Sequence, residues 1–182
     1  MRMNNNHRTD SEFENFLLKI GGVNIPHKPH LGSITNRRNF TVGNGWLGII
    51  QRLFEVLITL GWDKSFVNVK EKFGGMSIFI DNIPENGFHF IMEAEKETFE
   101  VCEVCGEPAK QHKIKGWVYT LCNEHRDEKL YVEYKGKKYL TKLLEPINKG
   151  DLYYNAETHE VSLCDIENFF NPWCLKVEEI IK

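Results

Sequence analysis

Cys102-Glu103-Val104-Cys105 and Cys122-Asn123-Glu124-His125 set three thiols and one imidazole in two pairs, with 16 residues between Cys105 and Cys122. That donor set and spacing match a tetrahedral Cys3His zinc site with Cys102, Cys105, Cys122 and His125 as its ligands. Four protein donors fill the coordination sphere of zinc, so the Zn2+ is expected to be structural. A catalytic zinc keeps one position for water and normally has a carboxylate at hand to move protons. The zinc-deaminase pattern, H-x-E with P-C-x-x-C, is not met: no proline precedes Cys102, and His89 is followed by Phe90 and Ile91. His112 is a spare ligand candidate with poorer spacing than His125. Gly106 behind Cys105 suits a knuckle turn that folds backbone N–H groups toward the sulfurs.

A second group with chemical character is Lys70-Glu71-Lys72. The segments Phe66 to Phe73 and Met76 to Asp81 read as the strands of a hairpin whose two-residue loop is Gly74-Gly75. In that register Phe73 faces Met76, and one face holds Val67, Val69, Phe73, Met76, Ile78 and Ile80 with Glu71 as its single charge. A carboxylate aimed at a core needs a partner or an edge position, because an unpaired buried charge costs several kcal/mol. Arg52 on the preceding helix is the partner in view. Glu71 is therefore either a structural ion-pair or strand-end residue, or a general base or ligand contact. The opposite face presents Lys70, Lys72, Ser77 and Phe79. Together with Arg37, Arg38 and the indoles of Trp46 and Trp62, and with Glu71 beside them, these residues form the candidate ligand-binding set. Cations beside aromatic rings suit a nucleotide or another planar anion.

The elements that must position these groups are legible in part. Ser11-Glu12-Phe13-Glu14 has the form of a capping box and opens a short amphipathic helix through Phe13, Phe16, Leu17 and Ile20. Residues 23–45, with Pro26, His27, Pro29 and His30, read as a loop. Trp46, Ile49, Ile50, Leu53, Phe54, Leu57 and Leu60 recur at helical spacing up to Gly61 and predict the central core helix. Residues 88–100 predict a helix with Phe88, Ile91, Met92, Glu95 and Phe99 on one side, and Trp117 to Leu121 a strand that delivers Cys122. Beyond Asp127, Tyr131 to Tyr134 with Lys137 to Leu140, and Leu152 to Asn155 with Glu160 to Leu163, read as two further hairpins. Asp165 is expected to cap a final helix interrupted at Pro172, with Phe169, Phe170 and Trp173 as core.

The fold class is thus α+β: a central amphipathic helix packed on an antiparallel β-hairpin, with an embedded zinc knuckle and a C-terminal extension of hairpins ending in a helix. The expected divisions are 1–42, 43–126 and 127–182. At 182 residues, with 41% hydrophobic and 27% charged, the chain can bury a globular core. No apolar run reaches membrane-spanning length and the start is polar, which predicts a cytoplasmic protein without a membrane partner. Five cysteines, three of them in ligand spacing, fit a reducing compartment, leaving Cys164 and Cys174 as small buried hydrophobes. Basic against acidic residues number 10 to 6 over residues 1–75, 1 to 8 over 76–109, 9 to 4 over 110–142 and 3 to 8 over 143–182. This alternation argues against a large duplex-DNA footprint, while leaving room for a local anion site.

Val69-Lys70-Glu71-Lys72-Phe73-Gly74-Gly75-Met76, preceded by Gly45-Trp46 and followed by Cys102-Glu103-x-Cys105-Gly106, Gly116-Trp117 and Leu121-Cys122-x-x-His125, resembles a group of small proteins carried by phages and prophages. The resemblance covers about residues 43–126 and implies a counter-defence role in the host-cell cytoplasm. Such a protein would capture a host nucleotide signal or block a host protein. No P-loop, dinucleotide fingerprint, nucleophile elbow or H-E-x-x-H is present, so a non-catalytic binding protein is favoured over an enzyme. A homo-oligomer is compatible with this reading. Two alternatives stay open: a zinc-dependent nucleic-acid binder using the basic segment Lys110 to Lys142, and a hydrolase centred on Glu71.

Overall fold

The computed structural model describes residues 6–24, 33–65, 67–114, 117–142, 147–155, 157–167, 169, 171 and 174–180. Pro26, His27, Pro29, His30, Phe66, Gly116, Phe170, Pro172 and Trp173 lie outside the described residues. The chain forms two compact units, residues 1–113 with 117–123 and residues 114–116 with 124–182.

Within the first unit, helix α1 (Asp10–Lys19) starts two residues earlier than expected. Thr9, rather than Ser11, is its cap, accepting the Glu12 N–H at 3.3 Å while the Glu12 carboxylate accepts the Thr9 N–H at 2.7 Å. Glu14 is thereby released to accept the Arg37 backbone N–H at 3.1 Å. Phe13, Phe16 and Leu17 of α1 are buried in the same core as helix α2 (Leu47–Thr59). Helix α2 follows the expected periodicity: Ile49, Ile50, Leu53, Phe54 and Leu57 are buried, and Gly61 ends it at φ 93°. Arg52 lies off that stripe and pairs with Glu97 at 2.6 Å, so the expected partnership with Glu71 is not made.

Strands β1 (Val67–Lys72) and β2 (Gly75–Ile80) form the expected hairpin in a different register. Glu71 pairs with Met76, Val69 with Ile78 and Val67 with Ile80, and the turn is Phe73-Gly74, at φ 55° and 74°. The slip is by two residues. Since side chains alternate with period two, both registers keep Val67, Val69, Glu71, Met76, Ile78 and Ile80 on one face and differ there only at Phe73, so hydrophobic patterning alone cannot separate them. Packing decides. Thr120 Oγ1 donates to the Gly74 carbonyl, the Met76 N–H is accepted by Thr98 Oγ1 at 3.0 Å, and the Ile78 N–H by Glu95 Oε1 at 2.7 Å. Gly75 serves close approach rather than the turn, since a Cβ there would collide with the Phe99 ring. Phe73 consequently leaves the apolar face and is 76% exposed.

Helix α3 (Phe88–Glu97) is followed by a 3-10 turn, Thr98–Glu100. Its inward face is Ile91, Ala94 and Thr98, whereas Phe88, Met92 and Phe99, expected on that side, are exposed. The cause is visible in the bonds just given. Glu95 and Thr98 are turned to the edge of β2 away from β1, where they satisfy ladder N–H groups that no strand among the described residues covers. Strands β3 (Lys110–Ile114) and β4 (Trp117–Leu121) pair with each other and complete the described elements of this unit.

In the second unit, helix α4 (Asn123–Leu130) leads into β5 (Tyr131–Tyr134) and β6 (Lys137–Lys142), which form the expected hairpin about Lys135-Gly136. Strands β7 (Leu152–Asn155) and β8 (Glu160–Leu163) form the other expected hairpin. The terminal helix is corrected: Cys174–Glu179 is a strand, β9. It inserts between β6 and β7 and joins the two hairpins into a sheet of order β5-β6-β9-β7-β8. Two hairpins each have an open edge, and a strand pairing with both removes two edges at once. Cys164 and Cys174 are buried together with Ile147. Among the described residues no helix is long and apolar enough to cross a membrane.

Candidate metal centre

The chain leaves the Thr98–Glu100 turn through Val101, which bridges to Pro108 so that the intervening residues close into a loop. Inside it, the Gly106 N–H donates to the Cys102 carbonyl at 2.9 Å and the Cys102 N–H to the Glu107 carbonyl at 2.8 Å. Gly106 stands at φ 77°, the conformation a knuckle requires and a side chain resists. Strand β4 is tied to this loop by the Glu103 N–H to the Thr120 carbonyl at 3.0 Å, and it ends at Cys122. The first turn of α4 then supplies His125.

The ligand atoms of Cys102, Cys105, Cys122 and His125 all lie within 4.8 Å of one another. Cys105 Sγ and Cys122 Sγ are 3.8 Å apart. A Zn–S bond of about 2.3 Å gives a tetrahedral S···S edge of about 3.8 Å. The four residues are close enough to hold a metal ion, and the donor set is consistent with zinc. The thiols are unequal. Burial works to raise Cys102, but backbone N–H donors from Cys105, Cys122 and Val104 outweigh it and hold that thiol below its ordinary value. Burial pushes Cys105 up to about 12. A metal entering this cluster therefore displaces thiol protons, which couples its binding to pH. His112, the spare candidate, lies on β3 and is not in the cluster.

The Gly45-Trp46 pair explains how the knuckle is seated. The Gly45 N–H donates to the Glu103 carbonyl at 2.9 Å, and the Trp46 indole N–H to the Val101 carbonyl at 2.7 Å. A Cβ on Gly45 would collide with the Cys102 carbonyl oxygen, and one on Gly43 with that of Glu103. These contacts are backbone against backbone, so neither side can yield.

The expected ligand-binding set is not assembled as a single cluster. Trp46 is 0% exposed and Trp62 3% exposed, and the Trp62 ring packs on Phe54 at 5.0 Å, so both indoles belong to the core. The Arg37 guanidinium is engaged by Asp10 at 3.0 Å, the Phe40 carbonyl at 2.9 Å, Asn44 Oδ1 at 2.8 Å and the Val42 carbonyl, pinning the loop that carries Gly43 and Gly45. Arg38 is exposed on the same 3-10 turn, Arg37–Asn39. Lys70 and Lys72 lie exposed on the outer face of the hairpin, as expected. Glu71 keeps the parity of the core face but sits at the strand end, exposed, with Oε1 accepting the Gly74 N–H at 2.8 Å.

A cleft of about 600 Å³ beside the knuckle includes His7, Arg37, Glu71, Glu103 and Tyr119 in its walls. Burial raises the Tyr119 phenol above its ordinary value, and the nearby charges of Glu103 and Glu71 raise it further. With Arg37 committed to the loop, two carboxylates dominate the field there, and the cleft is suited to donors or cations rather than to an anion. Nothing in the sequence marks His7, Glu103 and Tyr119 as neighbours, because they come from three distant segments with no shared spacing. The chain matches no protein-family model, no curated protein and no solved structure.

Proposed function

We propose that this chain is a non-catalytic binding protein in which a structural zinc ion, held by Cys102, Cys105, Cys122 and His125, fixes the knuckle under a binding surface on the β1–β2 hairpin. The observation that carries this reading is the donor set. Four protein ligands with a tetrahedral sulfur edge leave no position for water or substrate. The working surface is the outer hairpin face, where exposed Lys70 and Lys72 stand beside Phe79 and suit a planar anion. Cobalt substitution tests the closed site. The Co(II) protein should show four-coordinate sulfur-rich absorption bands that added azide leaves unchanged. Bands that shift on titration with azide would reveal an open position and overturn the structural assignment.

A further inference from the structure

The geometry points to single-stranded nucleic acid as the partner of the outer hairpin face, an inference that rests on the binding-surface reading above and names its ligand. It starts from Phe73. At φ 55° this residue occupies the left-handed region in a two-residue hairpin turn, where Asn, Asp or Gly sits at lower cost and a bulky side chain is an outlier. Packing does not account for it, since 76% of the residue is exposed. The turn is held through its backbone instead, with Gln111 Nε2 donating to the Phe73 carbonyl at 3.3 Å and Thr120 Oγ1 to that of Gly74. A strained backbone that lifts an aromatic ring into solvent marks a surface kept for a partner.

The neighbours of that ring define the partner. Lys72 Nζ lies 6.0 Å from its centroid. On the outer face, Lys70 is opposite Ser77 and Asn68 opposite Phe79, so Lys70 and Phe79 are diagonal neighbours, about 7–8 Å apart. Phe79 is 60% exposed. Lys70 and Lys72, two positions apart on one strand, are separated by about 7 Å, close to the step between successive phosphates of an extended strand. The paired residues of this face include no carboxylate. Two ring faces and two cations match a short stretch of unpaired bases and their phosphates, because every base offers a π-face and stacking is tolerant of sequence. A duplex buries those faces and needs a broader basic footprint than a chain of net charge −3 provides.

The test is fluorescence anisotropy of a short labelled oligothymidylate and oligouridylate against the zinc-loaded 182-residue chain across a salt series. Affinity should fall with salt with a log–log slope near −1.4, about −0.7 for each of two phosphates. Phe73→Ala and Phe79→Ala should each weaken binding about tenfold, and Lys70→Ala with Lys72→Ala should flatten the slope. Phe73→Asn suits the turn and preserves the fold, and it should lose binding as Phe73→Ala does. Wild-type affinity in the Phe73 variants, or equal affinity for a duplex of the same length, overturns the inference. So does capture of a protein at this face without oligonucleotide binding. Displacement of the oligonucleotide by ATP at equal nucleotide concentration also overturns it, while leaving a small-anion surface standing. Binding of neither oligonucleotide nor ATP removes both.

Discussion

The loop that carries Cys102 and Cys105 and the β1–β2 hairpin lie in one compact unit and are built on opposite terms. In the knuckle, local chemistry and packing agree. Gly106 takes the positive φ, Gly45 allows backbone contact, and the Trp46 indole satisfies the Val101 carbonyl. On the hairpin they conflict. Phe73 takes the positive φ that Asn or Gly would take more cheaply, and Lys70, Lys72 and Phe79 face solvent. Consistency across levels marks a scaffold, and a local rule broken without a packing return marks a surface maintained for something outside the fold.

The largest effect that would sharpen this contrast is removal of the metal. Chelation, or Cys105→Ser, should destabilise the protein by roughly 5 kcal/mol or more, a fall in Tm of about 10–20 °C for a chain of this size, read by thermal melting. An unchanged melting curve would remove the scaffold from one side of the comparison. Next comes Gly45→Ala, which leaves all four ligands in place and sets a Cβ against the Cys102 carbonyl. It should cost about 2–3 kcal/mol in urea unfolding and weaken zinc retention against a competing chelator. A neutral result would mean that the loop and knuckle do not need their close approach.

The hairpin should respond with the opposite sign. Phe73→Asn should raise stability by about 0.5–1 kcal/mol in urea unfolding, with zinc stoichiometry unchanged. A loss of stability would show that the ring supports the fold, and the contrast would fail. The smallest effect belongs to Glu71→Gln. The amide oxygen still accepts the Gly74 N–H, so stability should stay within about 0.5 kcal/mol of wild type. A hydrolytic activity extinguished by that one substitution would overturn the non-catalytic assignment.

Residue type and short spacing carried the parts of the structure that local chemistry controls. The Cys102, Cys105, Cys122 and His125 set is brought together as expected, because metal ligands must come from a few residue types at fixed offsets. The α2 periodicity, the hairpin about Lys135-Gly136 and the β7–β8 pairing are local signals of the same kind. Where two local solutions are equally compatible with the neighbouring residues, distant contacts choose between them. Thr9 and Ser11 each stand three residues before a glutamate, as a capping box needs, and Gly74-Gly75 competes with Phe73-Gly74 as a turn. Cys174–Glu179 carries no pattern strong enough to exclude the helix that Asp165 was expected to cap.

By itself, then, the sequence determined the Cys3His cluster, the amphipathic core helix, and the alternation of faces along the hairpin strands up to Phe73, because each depends on chemistry within a few residues along the chain. The tertiary structure alone decided the hairpin register, the insertion of Cys174–Glu179 between two strands, and the fate of Trp46, Trp62 and Arg37 as internal supports. The physical reason is the same in each case. Alternatives equal in local energy are separated only by contacts with distant segments: Thr98, Glu95 and Thr120 on the hairpin, Val101 on Trp46, and Asp10 on Arg37.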